Sequence, residues 1–266
     1  MSCPPLPPEV LDIIVDFLCR EFEALRNCCL VAKSWVPRTR KYLFLTVAFP
    51  TPQRLESWKR TFPDTSDSPA HHTRFLSIRC PHTVSAGDAE EGGWIRTFSG
   101  VVCLDMASSL GQDLDDSEVS LVPFRRFSPI LKTLRLFSTQ LKHSQIFDLI
   151  CSLPLLENLI LVAFGTPEDD NLGVGKLPAE TPPALTGDLK LFLPYGMEPI
   201  ARRLLDLPSG LHFRHFTVSC RLEHDLRWVN ALVVECSVTL ESLVIICDPY
   251  GTILFLPRLQ QHLTPD

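Results

Sequence analysis

The sequence predicts an α/β protein: a small N-terminal helical unit followed by a repeat array whose strands form a parallel sheet. Three observations carry that expectation. A pattern of apolar, two variable, apolar, one variable, apolar recurs eight times between Phe44 and Ile245. The segments between recurrences exceed the dozen or so residues that a chain needs to return to a parallel partner strand. Ahead of them, residues 10–18 contain Val10, Leu11, Ile13, Ile14, Val15, Phe17 and Leu18, too many apolar side chains for one stripe of a helix.

The recurrences begin at Phe44, Thr73, Val101, Leu131, Leu156, Thr186, Phe213 and Leu240, with spacings of 29, 28, 30, 25, 30, 27 and 27 residues. The clearest are Leu131-x-x-Leu134-x-Leu136 and Leu156-x-x-Leu159-x-Leu161. A stable period in the high twenties is the signature of a leucine-rich-repeat solenoid with a curved parallel sheet. Thr73 and Thr186 stand where the pattern wants an apolar residue, so the match is degenerate. The alternation at each end of the pattern is that of a short strand with one face inward. Leu134, Leu136, Leu159, Leu161, Leu189, Leu191, Leu243 and Ile245 are the expected core.

The returning segments read as helices in several places. Thr51 can cap a helix from Pro52 to about Phe62, and Ser144 one that ends before Pro154. Glu198 to Leu207 and Leu222 to Cys236 show helical spacing, the latter through Leu226, Val229, Leu232 and Val233. Residues 81–95 and 165–187 are rich in Gly, Pro, Asp and Glu and read as exposed loops. The apolar stretch Tyr250 to Leu263 is unexpected at the end of a solenoid, which needs a polar closing unit. It reads as a makeshift cap folded under the array or as the end of a short form.

The N-terminal stretch carries a family resemblance. It opens Leu6-Pro7-Pro8-Glu9-Val10, continues through Ile13-Ile14 and Leu18, and closes with Leu30-Val31-Ala32-Lys33-Ser34-Trp35. Over about forty-five residues this resembles an F-box of the form common in fungal proteins. Pro37 departs from the most widespread form but suits the start of a third helix. The resemblance implies residues 1–44 as a three-helix unit that binds a Skp-family adaptor and, through it, a cullin–RING ubiquitin ligase. The adaptor contacts and their supports would come from Leu6, Pro7, Pro8, Glu9, Val10, Ile13, Ile14, Leu18, Leu30, Val31 and Trp35. Residues 45–266 would then be the repeat region that holds a protein substrate. The alternative is a non-ligase interaction scaffold whose N-terminal helices only cap the solenoid.

Composition fits a folded protein with 45% hydrophobic and 21% charged residues. A net charge of −6 argues against nucleic acid as the main partner. Residues 84–120 hold eight acids against Arg96 alone and read as solvated loops. No secretory leader and no membrane-length apolar run is visible. The ten cysteines form no C-x-x-C pair and read as reduced core residues of a cytoplasmic or nuclear protein.

No catalytic or cofactor motif emerges. Cys80, His82, His71 and His72 lack the paired spacing of zinc ligands. Gly173-Val174-Gly175-Lys176 lacks the Ser or Thr of a phosphate loop. The expectation is therefore a binding protein without a cofactor or metal. In the repeat register the variable positions form columns across the open face. One runs Ser77, Asp105, Arg135, Ile160, Lys190, Thr217, and the next Arg79, Ala107, Phe137, Val162, Phe192, Ser219. Phe137, Ile160, Val162 and Phe192, edged by Arg135 and Lys190, are the expected substrate face. Asp105 beside Arg135 is within reach of a cross-strand ion pair. Residues 165–187 are the loop most able to fold over that cluster.

Overall fold

In the computed structural model the described residues are 7–63, 66–79, 84, 93–107, 121–127, 129–137, 143–162, 185–192, 198–207, 209–220, 225–247 and 252–257. They form an α/β structure. Three helices, α1 (Pro8–Phe17), α2 (Phe22–Val31) and α3 (Val36–Leu43), precede the first strand. Pro7 occupies the N-cap of α1 and Pro8 its first turn, and Pro37 lies in the first turn of α3. Proline is tolerated there because those N–H groups have no partner within the helix.

The strands are β1 (Thr46–Phe49), β2 (Phe75–Ile78), β3 (Cys103–Ala107), β4 (Thr133–Phe137), β5 (Asn158–Val162), β6 (Asp188–Phe192), β7 (His215–Cys220), β8 (Ser242–Cys247) and β9 (Thr252–Pro257). They lie side by side in sequence order. Every pairing from β1 to β8 is parallel, and β9 runs antiparallel on β8. The apolar tail read as a cap is thus, over 252–257, a strand added in plane. An exposed strand edge offers unpaired N–H and C=O groups, and β9 satisfies those of β8.

The returning segments include α4 (Pro52–Thr61), α5 (His143–Cys151), α6 (Glu198–Leu205) and α7 (Asp225–Glu235), with 3₁₀ turns at Trp94–Thr97 and Val122–Phe127. Thr51 caps α4 by accepting from the Arg54 N–H. The α5 helix begins at His143, so Ser144 lies inside it and not at its cap. The helical spacing read over Leu226 to Val233 is that of α7, in which Val229 and Leu232 are buried and Leu226, in the first turn, is exposed at 46%.

All these segments pack on one face of the sheet. Leu55, Ile95, Phe124, Ile146, Ile150, Ile200, Leu204 and Leu232 share one core with Leu76, Leu104, Leu134, Leu136, Leu159, Leu161, Leu189, Leu191 and Val218. Leu243 is buried with them, and Ile245 packs half-buried against the same core. One device repeats along the array: two successive N–H groups at the entry to a strand donate to a single carbonyl just before the preceding strand. Arg74 and Phe75 donate to Leu45, Val102 and Cys103 to Arg74, and Lys132 and Thr133 to Val102. Glu157 and Asn158 donate to Lys132, Arg214 and His215 to Gly187, and Glu241 and Ser242 to Arg214.

The two threonines that break the pattern have different explanations. Thr73 is fully buried and donates its hydroxyl to the Phe44 carbonyl at 2.9 Å, so its polar group is satisfied inside the core. Thr186 is half-buried, and Leu185, one residue earlier, takes the core position. Leu185 has φ +39°, a left-handed turn that absorbs the one-residue offset. At the other end of the array, Phe44, Phe49, Trp58, Phe62, Trp94 and Phe98 form an aromatic cluster with ring centroids 4.7–6.3 Å apart.

Candidate functional site

Two surfaces stand out, one on the helices and one on the sheet. The helical unit has a small interior of its own: Val15, Leu25, Cys28 and Thr39 are buried. A polar clasp ties α1 to α3. Arg38 donates to both Asp16 oxygens from Nη2 at 2.8 Å, and Tyr42 donates its hydroxyl to Asp16 Oδ1 at 2.6 Å. The Tyr42 bond, then the Arg38 bond, hold the Asp16 carboxyl below its ordinary pKa. The clasp therefore persists until the medium is more acid than an ordinary carboxylate tolerates. Nothing local in the sequence pairs these residues, because 22 and 26 positions separate the partners.

With that interior filled, several apolar side chains remain outside. Val10 is 39% exposed, Ile13 58% and Phe17 87%, a spacing that sets all three along one side of α1. Leu30 is 85% and Val31 67% exposed at the end of α2, and Phe22 is exposed at its start. Of the sequence-derived adaptor residues, Pro7, Glu9, Val10, Ile13, Leu30 and Val31 are exposed, while Ile14, Leu18 and Trp35 are half-buried. Pro8 opens α1, and Leu6 lies outside the described residues. Phe17 and Phe22 are additions that the family pattern did not single out. A single monomer seldom exposes so many large apolar groups on so few residues without a partner.

The junction between this unit and the sheet combines apolar packing of Phe44 with polar contacts. Arg40 donates to the Asp67 carbonyl at 3.3 Å. The His71 and His72 rings meet at a tilt of 52° with centroids 3.9 Å apart in the 3₁₀ turn Pro69–His72. Burial, then the neighbouring His71, Arg40 and Lys41, push the His72 pKa down. Cys80 and His82 lie outside the described residues. Among those described, no group of three or more His, Cys, Asp or Glu is arranged to hold a metal ion.

On the sheet, the face away from the returning segments carries the variable positions. The ladder aligns Ser77, Asp105, Arg135, Ile160, Lys190, Thr217 and Val244 in one row across β2 to β8. The next row is Ala107, Phe137, Val162, Phe192, Ser219 and Ile246. Phe137, Ile160, Val162 and Phe192 are half-exposed together, and Val244 and Ile246 extend the apolar area. Lys190 is engaged by Asp188 at 3.5 Å along its own strand. Of residues 165–187, those before 185 lie outside the described residues.

Asp105 and Arg135 are register partners, yet they interact through space and not through a hydrogen bond. The guanidinium instead lies over the Phe75 ring at 5.4 Å, and its Nε is buried without a partner. Burial pushes the Asp105 pKa up, and the fields of Arg135 and Arg79 only partly oppose it. In the window between the ordinary carboxylate value and the raised one, the folded state binds more protons than the unfolded state. Stability therefore falls as pH rises through that window, and the loss is complete above it. Asp105→Asn should raise the melting temperature at pH 7 and leave it nearly unchanged near pH 3. Melting curves at the two pH values check this, and an equal change at both would refute it.

No helix among the described residues is long and apolar enough to cross a membrane. The chain matches no family model, no curated protein and no solved structure.

Proposed function

We propose that this chain is a substrate-recruiting F-box subunit of an SCF-type cullin–RING ubiquitin ligase. On this reading α1 to α3 hold a Skp-family adaptor and, through it, the cullin. The strand array is a leucine-rich-repeat-like solenoid whose open face receives a protein substrate. The observation that carries the reading is the apolar surface of α1 and α2. It sits on a unit that already has an interior and a clasp, so Val10, Ile13, Phe17, Leu30 and Val31 are exposed without being needed to close the fold. The motif Leu6-Pro7-Pro8-Glu9-Val10 with Ile13-Ile14 and Leu30-Val31 supplies the family resemblance at the same place.

The repeat reading is supported by the recurring shared-carbonyl device and by the packing of the described returning segments on one face of the sheet. All-parallel sheets are usually covered on both faces. A stack of repeats leaves one side for binding. The chain itself performs no bond chemistry in this scheme. It raises the effective concentration of substrate near the charged ubiquitin carrier. Such a subunit belongs in the cytoplasm or nucleus.

The alternative is an interaction scaffold whose helices only close the array. The Arg40–Asp67 contact and the packing of α3 near Pro69–His72 favour it. Co-purification separates the two. The full chain should bring down a Skp-family adaptor and cullin. The Ile13→Asp variant should lose both by more than about tenfold, because a charge on a buried interface centre is not compensated. Its thermal unfolding should stay close to that of the parent, since Ile13 is exposed. If the parent captures no adaptor, the scaffold reading replaces this one.

A further inference from the structure

The centre of the open sheet face holds a guanidinium short of acceptors. Arg135 Nε is buried and has no hydrogen-bond partner. Its register neighbour Asp105 gives it field but no hydrogen bond. A buried donor left unpaired costs free energy. Arg135 as a whole is half-exposed, so a ligand carboxylate approaching from the open face would meet the outer side of its guanidinium in a charge-assisted bond. The same residue borders the apolar area: Phe137 lies two residues along β4, and Ile160 is its partner on β5. Phe137, Val162 and Phe192 then continue as one half-exposed row.

The distance matters for the kind of ligand. Two residues along a strand span roughly 6.6 Å, which is also the separation of side chains i and i+2 on an extended peptide. We propose that this face recognises an extended acidic segment of a protein, which sets a carboxylate side chain against Arg135 and, two residues away, an apolar side chain on Phe137, Val162 and Phe192. The assignment rests on the reading that the sheet face receives the substrate, and it names the chemistry of that substrate. Carboxylate fits better than phosphate. Asp105 adjoins Arg135, and a dianion would meet that like charge at close range.

The test uses labelled eight-residue peptides in a Gly/Ser background and fluorescence anisotropy on the full chain. The core peptide is Glu-x-Leu, made in both orders. Its controls are Lys-x-Leu, Glu-x-Ser and phosphoserine-x-Leu. The glutamate peptide in its better order should bind about tenfold tighter than the lysine peptide, a difference of about 1.4 kcal/mol. Arg135→Gln should abolish that charge preference and keep the preference for Leu over Ser. The double variant Phe137→Ser/Phe192→Ser should do the reverse. Arg135→Lys, which keeps the charge and loses the planar fork, should retain part of the charge preference; it serves should Arg135→Gln fail to fold.

A charge preference that survives Arg135→Gln overturns the proposal, as does tighter binding of the phosphoserine peptide. Absence of binding by every peptide also overturns it. Adaptor capture is a separate measurement on α1 to α3. Its failure with peptide selection intact would sink the ligase reading and leave this site standing.

Discussion

Phe98→Ala should destabilise the protein by about 3–5 kcal/mol, the usual cost of removing a buried aromatic ring. Phe98 is fully buried and meets Trp58 and Trp94 with ring centroids 5.6 Å apart and Phe49 at 6.1 Å. The edge contacts with Phe49 and Trp94 add to simple area burial. The position also decides how the damage spreads. Strands contact only their sequence neighbours in the sheet, so each local core depends on the ones beside it. The aromatic cluster closes the β1 end, the edge of the sheet among the described residues. Hydrogen exchange on the variant should therefore speed first in β1 to β3, with β6 to β8 protected longer. Chemical denaturation gives the magnitude. A loss below 1 kcal/mol, or uniform exchange along the array, would mean that the cluster is not what holds this end.

The same contrast shows what the sequence could reveal. The rows across the open face follow from period-two alternation and a spacing near 28 residues, both of which are local or periodic signals. Leu134, Leu159 and Leu189 align because each strand repeats the same inward positions. The aromatic cluster draws on residues from Phe44 to Phe98 with no regular interval, so no pattern announces it. The Asp16–Arg38–Tyr42 clasp is invisible for the same reason. Thr73 looked like a fault in the template because the template scores polarity, whereas a buried hydroxyl with an acceptor fits a core position. At β9, composition suggested burial beneath the array. The free edge of β8 was the stronger demand, and a run of β-formers pairs with it.

For the candidate binding face, the sequence could name the residues but not their state. It placed Asp105 beside Arg135 and suggested an ion pair. The structure sends the guanidinium over Phe75 and leaves the carboxylate partly desolvated. That difference turns a pair that would neutralise itself into one with unmet capacity. On the helices, the count of apolar residues signalled a missing partner surface. Their division into Val15 and Leu25 inside, and Ile13, Phe17 and Leu30 outside, required the clasp and the helix packing.

Gly187→Ala should cost about 1–3 kcal/mol, the range for forcing an extra carbon into a packed site. A Cβ at Gly187 would sit 2.0 Å from Asn158 Oδ1 and 3.2 Å from the Glu157 carbonyl oxygen. Asn158 cannot simply move away. Its Oδ1 accepts from the Asp188 N–H at 2.8 Å, and its Nδ2 donates to Thr133 Oγ1 at 3.2 Å. The side chain therefore completes the shared-carbonyl step between β5 and β6, where the Gly187 N–H alone goes to Glu157. Displacing it strands a backbone donor at the entry to β6 and loosens β4 from β5 at the same time. Asn158→Ala alone should also destabilise, by about 1–2 kcal/mol for the lost bonds. In the double variant only the 3.2 Å approach to the Glu157 carbonyl oxygen remains, so the combined cost should fall short of the sum of the two single costs. A double-mutant cycle by urea denaturation measures that coupling, expected at about 1 kcal/mol. Strict additivity would show that Gly187 is required for its backbone alone and not for the room it leaves Asn158.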